Sequence, residues 1–278
     1  MAITSFIPEI WSARLLNELR AVQVATNLVN RDYEGEIKGP GSTLYINKLS
    51  GDISIWTYDR GLEIETPENL SMTNCTLDID QAKYFNFVVD DVDKVQAAGD
   101  VMDSAIKLGA YKLKDYSDEY ILEELANSPE SDNIIAEDSP VTVTADNIYS
   151  YIAQLNMLLS TSNAPCDDRT VVLSPAVCAL LIQDSKFIPA DAKDERIKTG
   201  FVGRAAGMDV YESNNCYKTG SVYNLTAQSR SACTFAEQIV KMDAYRPENT
   251  FSDAVRGLYV YGVKVTEPNG VALLRCVV

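Results

Sequence analysis

DDVDKVQAAGDVMDSAIKLGAYKLKDYSDEYILEELAN, residues 90–127, is the longest run in the chain that reads as one regular element. Val95, Ala98, Met102, Ala105, Gly109, Leu113, Tyr116 and Tyr120 recur at steps of three or four, the period of one helix face. Asp90, Asp91 and Asp93 at its head suit a helix start, where carboxylates meet free N–H groups and the positive end of the dipole. Pro129 just past its tail suits a stop. At about 1.5 Å per residue the run makes a rod of roughly 50 Å, longer than an ordinary globular helix and able to brace more than one compact unit.

Toward the N-terminus the signals change twice. From Glu36 to Val89 they are those of strands and turns: the cluster Gly39-Pro40-Gly41, then Leu44-Tyr45-Ile46, Gly51-Asp52, Ile53, Ile55 and Trp56, with a break around Asp59, Arg60 and Gly61. Past Thr66-Pro67-Glu68, the alternation of Cys75, Leu77 and Ile79 and then Phe85, Phe87 and Val89 predicts a half-buried strand. The whole reads as a two-stranded arm with an irregular tip, and isolated hairpins are marginal in water. Before it, Ile7-Pro8-Glu9 starts a short amphipathic helix whose stripe is Trp11, Leu15, Leu19 and Val22, with Arg14, Glu18 and Arg20 off it. Next to an extended segment such a stripe is expected to lie on a neighbouring subunit.

Toward the C-terminus, Ser128 to Pro140 is a polar linker and a compact α/β unit is expected to follow. Thr144 caps a helix carrying Ile148, Ile152, Leu155 and Leu159; Thr170-Val171-Val172-Leu173 is a short apolar strand, and Ser174-Pro175 opens a second helix through Ala179, Leu180 and Ile182. Met208-Asp209-Val210-Tyr211 and Val222-Tyr223-Asn224-Leu225 read as strands. The run Gly257 to Val265 and Val271 to Leu274 reads as a hairpin over Glu267-Pro268-Asn269-Gly270, with Asn-Gly as the turn.

Composition narrows the function classes. The chain has 278 residues, 46% of them hydrophobic, enough for a substantial core in one large domain or two smaller ones. Its formal charge of −16 argues against tight nucleic-acid binding through phosphate contacts. It contains no histidine, so histidine triads, histidine metal sites and the commonest general base are excluded. Cys75, Cys166, Cys178, Cys216, Cys233 and Cys276 are scattered singly with no CxxC pair and read as reduced thiols. No segment reads as a secretory leader or a membrane span, so a cytosolic start is expected.

The remaining motifs favour structure over chemistry. Gly39-Pro40-Gly41-Ser42-Thr43 lacks the lysine and spacing of a phosphate loop, and Gly200, Gly203 and Gly207 do not form G-x-G-x-x-G. The aspartates at 90, 91 and 93 lack the glycine and closing glutamate of a calcium loop. No catalytic residue, metal ligand or cofactor is expected. For Trp11, Trp56 and Tyr58 two readings stand: burial inside the subunit, or anchoring of subunit contacts, where aromatic residues are enriched. With Leu15, Leu19, Val22 and Arg60 they form the candidate interface set.

The order of parts resembles the major capsid protein of tailed bacteriophages, an α+β chain of the Hong Kong 97-type fold, and most nearly coat families of the P-twenty-two-like kind. The residues carrying the resemblance are Thr170-Val171-Val172-Leu173-Ser174-Pro175, the Gly200 to Gly207 stretch running into Met208-Asp209-Val210-Tyr211-Glu212-Ser213, and Phe251-Ser252-Asp253-Ala254-Val255-Arg256-Gly257 with Tyr261-Gly262. The resemblance implies an N-terminal arm over 1–35, an extended loop over 36–89, a peripheral domain over 90–138 with its spine helix, an axial domain over 139–234, and a return to the peripheral domain over 235–278. It further implies no enzyme activity, and self-assembly in the host cytoplasm into pentamers and hexamers of an icosahedral virion capsid. Packaged double-stranded DNA is then contacted weakly, with a portal as partner and no membrane.

Two departures bear on partners. The arm starts almost at Met1, which implies a separate scaffolding protein or an already trimmed chain. Lys38 and Lys48 lie in the extended loop, where some relatives cross-link a lysine to a neighbour, but no signature of that reaction accompanies them. Two other readings compete: an encapsulin-like nanocompartment enclosing a cargo enzyme, and a thiol or carboxylate enzyme, which predicts a compact small oligomer with an occupied concave pocket.

Overall fold

The computed structural model describes residues 15, 23–33, 37, 41–50, 55–58, 60, 66, 69, 71–90, 101–190, 199–249 and 252–278. Its centre is the helix Val101–Asn127, 27 residues or roughly 40 Å long. Asp91 and Asp93, expected to cap it, lie outside the described residues. Asp90 does not cap it, because it closes strand β3 (Gln81–Asp90) opposite Ser252. The buried face is also rotated from the expected one. Ala110, Leu113, Ser117, Ile121, Leu122 and Leu125 are buried while Tyr116 is 51% exposed, since the helix is covered on one side by two sheets and left open on another.

The arm is shorter than its sequence span. Strands β1 (Thr43–Ser50) and β2 (Ser71–Asp78) pair antiparallel from Thr43↔Asp78 to Ser50↔Ser71, a ribbon of roughly 25 Å. The alternation expected to continue through Val89 breaks at Ile79 and Asp80. Beyond them β3 belongs to a separate three-stranded sheet, in the order β12 (Cys233–Tyr245), β13 (Ser252–Val265), β3. One face of that sheet packs on the long helix through Phe235, Tyr259 and Tyr261. The other face, through Ala236 and Val260, receives the base of the ribbon, with Leu44, Ile46, Leu77 and Ile79. Gly262 permits this approach, because a Cβ there would come within 2.2 Å of the Asp78 carbonyl oxygen.

The second sheet has nine strands. Its main path runs β4 (Ile134–Ile135), β14 (Val271–Val277), β11 (Val222–Ser229), β6 (Arg169–Leu173), β9 (Met208–Glu212), β8 (Phe201–Ala205), β7 (Ile188–Pro189), with β5 (Val141–Thr142) on β14 and β10 (Lys218–Thr219) on β11. The helix Ile148–Thr161 buries Ile148, Ile152, Leu155 and Leu159 as expected. Its start is held by the Thr144 carbonyl, which accepts from Asn147 and Ile148 N–H, while the Thr144 N–H donates to Asn147 Oδ1 at 2.8 Å. The helix Pro175–Gln183 opens with proline in its first turn. β8 and β9 form a tight hairpin whose two central residues, Ala206 and Gly207, both have positive φ, the geometry that matches strand twist.

The expected C-terminal hairpin does not form. Pro268–Gly270 is a short 3-10 turn, after which β14 leaves β13 and enters the nine-stranded sheet between β11 and β4. The turn residues were right, but β14 is buried on both faces, with Val271, Ala272, Leu273, Leu274 and Cys276 all under 5% exposed, and only a central position provides that cover.

Candidate assembly surfaces

The described residues of the N-terminal segment, Asp32 apart, are covered by their own subunit. Leu15 is 1% exposed within the main core, and Val24, Ala25, Leu28 and Val29 are buried with it. The physical reason is a polar seat that periodicity does not reveal. Asp118 on the long helix accepts from the N–H of Val24 at 3.0 Å and of Thr26 at 3.3 Å, tying down the turn Ala25–Leu28. Beside it, Glu237 of β12 accepts from Gln23 Nε2 at 2.8 Å, the Tyr259 hydroxyl at 2.5 Å and Arg31 Nη2 at 2.5 Å. Asn30 completes the seat through backbone bonds with Cys233 and Phe235.

Burial pushes the Asp118 carboxyl up to about 6, against the opposing pull of the Val24 N–H and the charge of Lys114. Burial and the neighbouring Glu237 likewise raise the Tyr259 hydroxyl well above its ordinary value. The sequence did carry one faint sign of the seat: Ser117-Asp118 falls on the buried face between Leu113 and Ile121, where an unpaired polar pair would cost several kcal/mol.

The described residues between β1 and β2 are exposed. Ile55 is 94% exposed, Trp56 53% and Tyr58 79%, and Arg60 is also exposed. Of the seven candidate interface residues, Leu15 is therefore a core residue of its own subunit, which corrects the expectation for it. Trp56, Tyr58 and Arg60 share the open tip, while Trp11, Leu19 and Val22 lie outside the described residues.

A second uncovered region runs along β3. Between it and the long helix lies a hollow of about 610 Å³, lined by Phe85, Phe87, Val88, Leu108, Leu113 and Tyr116 with Lys83 and Lys112 among them. Tyr84 is 81% exposed and Leu108 63% at its margin.

Chemistry is not built into either surface. Among the described residues no group of three His, Cys, Asp or Glu side chains could hold a metal ion. The six cysteines are unbridged, and burial pushes the Cys216 thiol up to about 12 and Cys276 to about 11, far from a reactive thiolate. What remains is a sheet-and-helix body with an unfinished ribbon and an unfinished groove.

The profile of a family described as phage capsid protein matches residues 76–274. The chain belongs to the phage capsid protein family. It has the Hong Kong 97-type fold and is a structural subunit of a homo-oligomeric virion shell, without catalytic function. Among solved structures, the capsid subunit is similar to a chain of Mycobacterium phage Che8 at 29% identity, covering 91% of this chain and 90% of that one with a TM-score of 0.69. It resembles a capsid chain of the cyanophage P-SCSP1u at 16% identity, 90% and 86% coverage and TM-score 0.62. A chain of the holo-SrpI encapsulin complex from Synechococcus elongatus has the same fold at 9% identity, 92% and 88% coverage and TM-score 0.60. No curated protein sequence is significantly similar to the subunit.

Proposed function

We propose that the subunit builds pentamers and hexamers of an icosahedral shell around double-stranded DNA, assembling in the host cytoplasm with a separate scaffolding protein and a portal as partners. The exposed apolar residues between β1 and β2 carry this reading, because Ile55, Trp56 and Tyr58 are 94%, 53% and 79% exposed in their own subunit and a closed shell supplies cover. In this reading the N-terminal segment is the arm, the β1–β2 ribbon is the extended loop, the long helix with the three-stranded sheet is the peripheral domain, and the nine-stranded sheet with its two helices is the axial domain, which takes in β4 and β14 from the 90–138 and 235–278 spans expected to be peripheral. Trp56, Tyr58 and Arg60 then make contacts between subunits. The acidic balance of the chain, −16, supports a wall that contacts the genome weakly.

Likeness in fold to an encapsulin supports a second reading, a nanocompartment enclosing a cargo enzyme. Shells expressed in a host, treated with nuclease and imaged by electron microscopy, are expected to be closed and icosahedral. In infected cells they are expected to protect double-stranded DNA. Shells that hold a protein cargo and no nucleic acid would establish the second reading, and failure of the chain to form shells at all would refute both.

A further inference from the structure

The seat under the N-terminal segment holds two buried carboxyls with different surroundings. Glu237 receives the Arg31 guanidinium at 2.5 Å together with Gln23 Nε2 and the Tyr259 hydroxyl, so its burial is matched by an opposite charge. Asp118 is as deeply buried, holds the backbone N–H groups of Val24 and Thr26, and among the described residues makes no ion pair. Lys114, one turn back on the same helix, lies 5.3 Å from the centre of the Tyr111 ring. The other groups that could answer Asp118 are taken or uncharged. Asp115 accepts from Asn215 Nδ2, Lys83 of β3 lies over the Tyr116 ring, and β11 presents Gln228, which donates to the Leu28 carbonyl.

The same seat contains acceptors without donors. Gln23 Oε1 and Thr26 Oγ1 are buried and bond to nothing, in a place where an unmade hydrogen bond costs about 1–3 kcal/mol. A carboxylic O–H on Asp118 answers this shortage. The Thr26 N–H already donates to Asp118 Oδ1 at 3.3 Å, which brings the hydroxyl oxygen of the same residue beside that carboxyl. A carboxylate in its place can only accept and leaves Thr26 Oγ1 as it is.

We propose that residues 23–31 form a strap with one proton-dependent end: a proton shared between Asp118 and Thr26 Oγ1 locks Gln23–Thr26 onto the long helix, while the Arg31–Glu237 ion pair keeps the other end in place. The upward displacement of the Asp118 carboxyl by burial, to about 6, agrees with this arrangement. A proton bound more tightly in the closed seat than in the open one favours closure, and that preference is lost as the pH rises through 6. The point at which the preceding chain joins the body is thus fixed in acid and freer at neutral pH. This goes beyond the shell reading and does not depend on it.

The test is hydrogen exchange on unassembled subunits at pH 5 and pH 7.5, corrected for the intrinsic pH dependence of exchange. Protection of the Val24 and Thr26 amides is expected to fall about tenfold between the two, while the Asn30 and Phe235 amides, which pair β12 with the far end of the strap, change little. Asp118→Asn, which carries a donor and an acceptor at every pH, is expected to keep the protection of the acid form at both. Thr26→Val, which retains the shape and removes the acceptor, is expected to reduce the tenfold change to about threefold or less. Equal protection of the native strap at both pH values would overturn the proposal, as would a tenfold change that survives in Asp118→Asn. A full tenfold change in Thr26→Val counts against it even if the amide variant fails to fold.

Discussion

Asp118 shows how a single carboxyl can set the firmness of the N-terminal segment. Its ordinary value is 3.8 and burial raises it to about 6 in the folded subunit, so the fold binds this proton more tightly than the unfolded chain does. The contribution to stability is fully present below about pH 4 and is lost as pH rises through 6, beyond which the fold carries a buried anion. A shift of about two units corresponds to roughly 3 kcal/mol. In urea unfolding of unassembled subunits, the midpoint of the natural chain relative to Asp118→Ala is therefore expected to rise as pH falls from 7 to 5. Parallel pH profiles would show that Asp118 does not titrate in this window. A second residue, Gly262, is decided by space: its Cβ would meet the Asp78 carbonyl oxygen at 2.2 Å. Gly262→Ala is expected to cost about 2 kcal/mol or more through a forced shift of the ribbon base; an unchanged thermal midpoint would show that the base yields freely.

At the level of elements, the long helix and the ribbon do different jobs. The helix is a brace buried along Leu113, Ile121 and Leu125. Gly109 meets nothing within 4 Å of a Cβ and has ordinary helical backbone. Gly109→Ala is expected to stabilise the unassembled subunit by up to about 1 kcal/mol, read as a higher thermal midpoint; a fall would place something unseen over that position. The element-level expectations that failed share one cause. Periodicity found the helix and the turn residues at Pro268–Gly270, yet the buried helix face and the destination of β14 depend on which other surface arrives to cover them.

The whole molecule divides its work between a self-sufficient body and an appendage. The described part of the N-terminal segment, residues 23–31, is anchored by Asp118 and Glu237, whereas among the described residues the ribbon's buried apolar side chains lie at its base. Replacing Trp56 and Tyr58 with serine is accordingly expected to leave the circular dichroism and thermal midpoint of the subunit nearly unchanged while abolishing shells in electron micrographs. Normal shells from that variant would remove the tip from assembly. Local pattern in the chain was enough to determine the long helix, the strand-rich arm, the α/β unit after it and, through the order of these parts, the capsid resemblance, because each follows from periods and turn residues set by neighbours a few positions apart. Tertiary structure alone decided that β3 leaves the arm for a second sheet, that β14 crosses to the larger one, and that Gln23, Asp118, Glu237 and Tyr259 meet in a buried seat. These depend on which surfaces far apart in the chain exclude water from one another, and no local period records that.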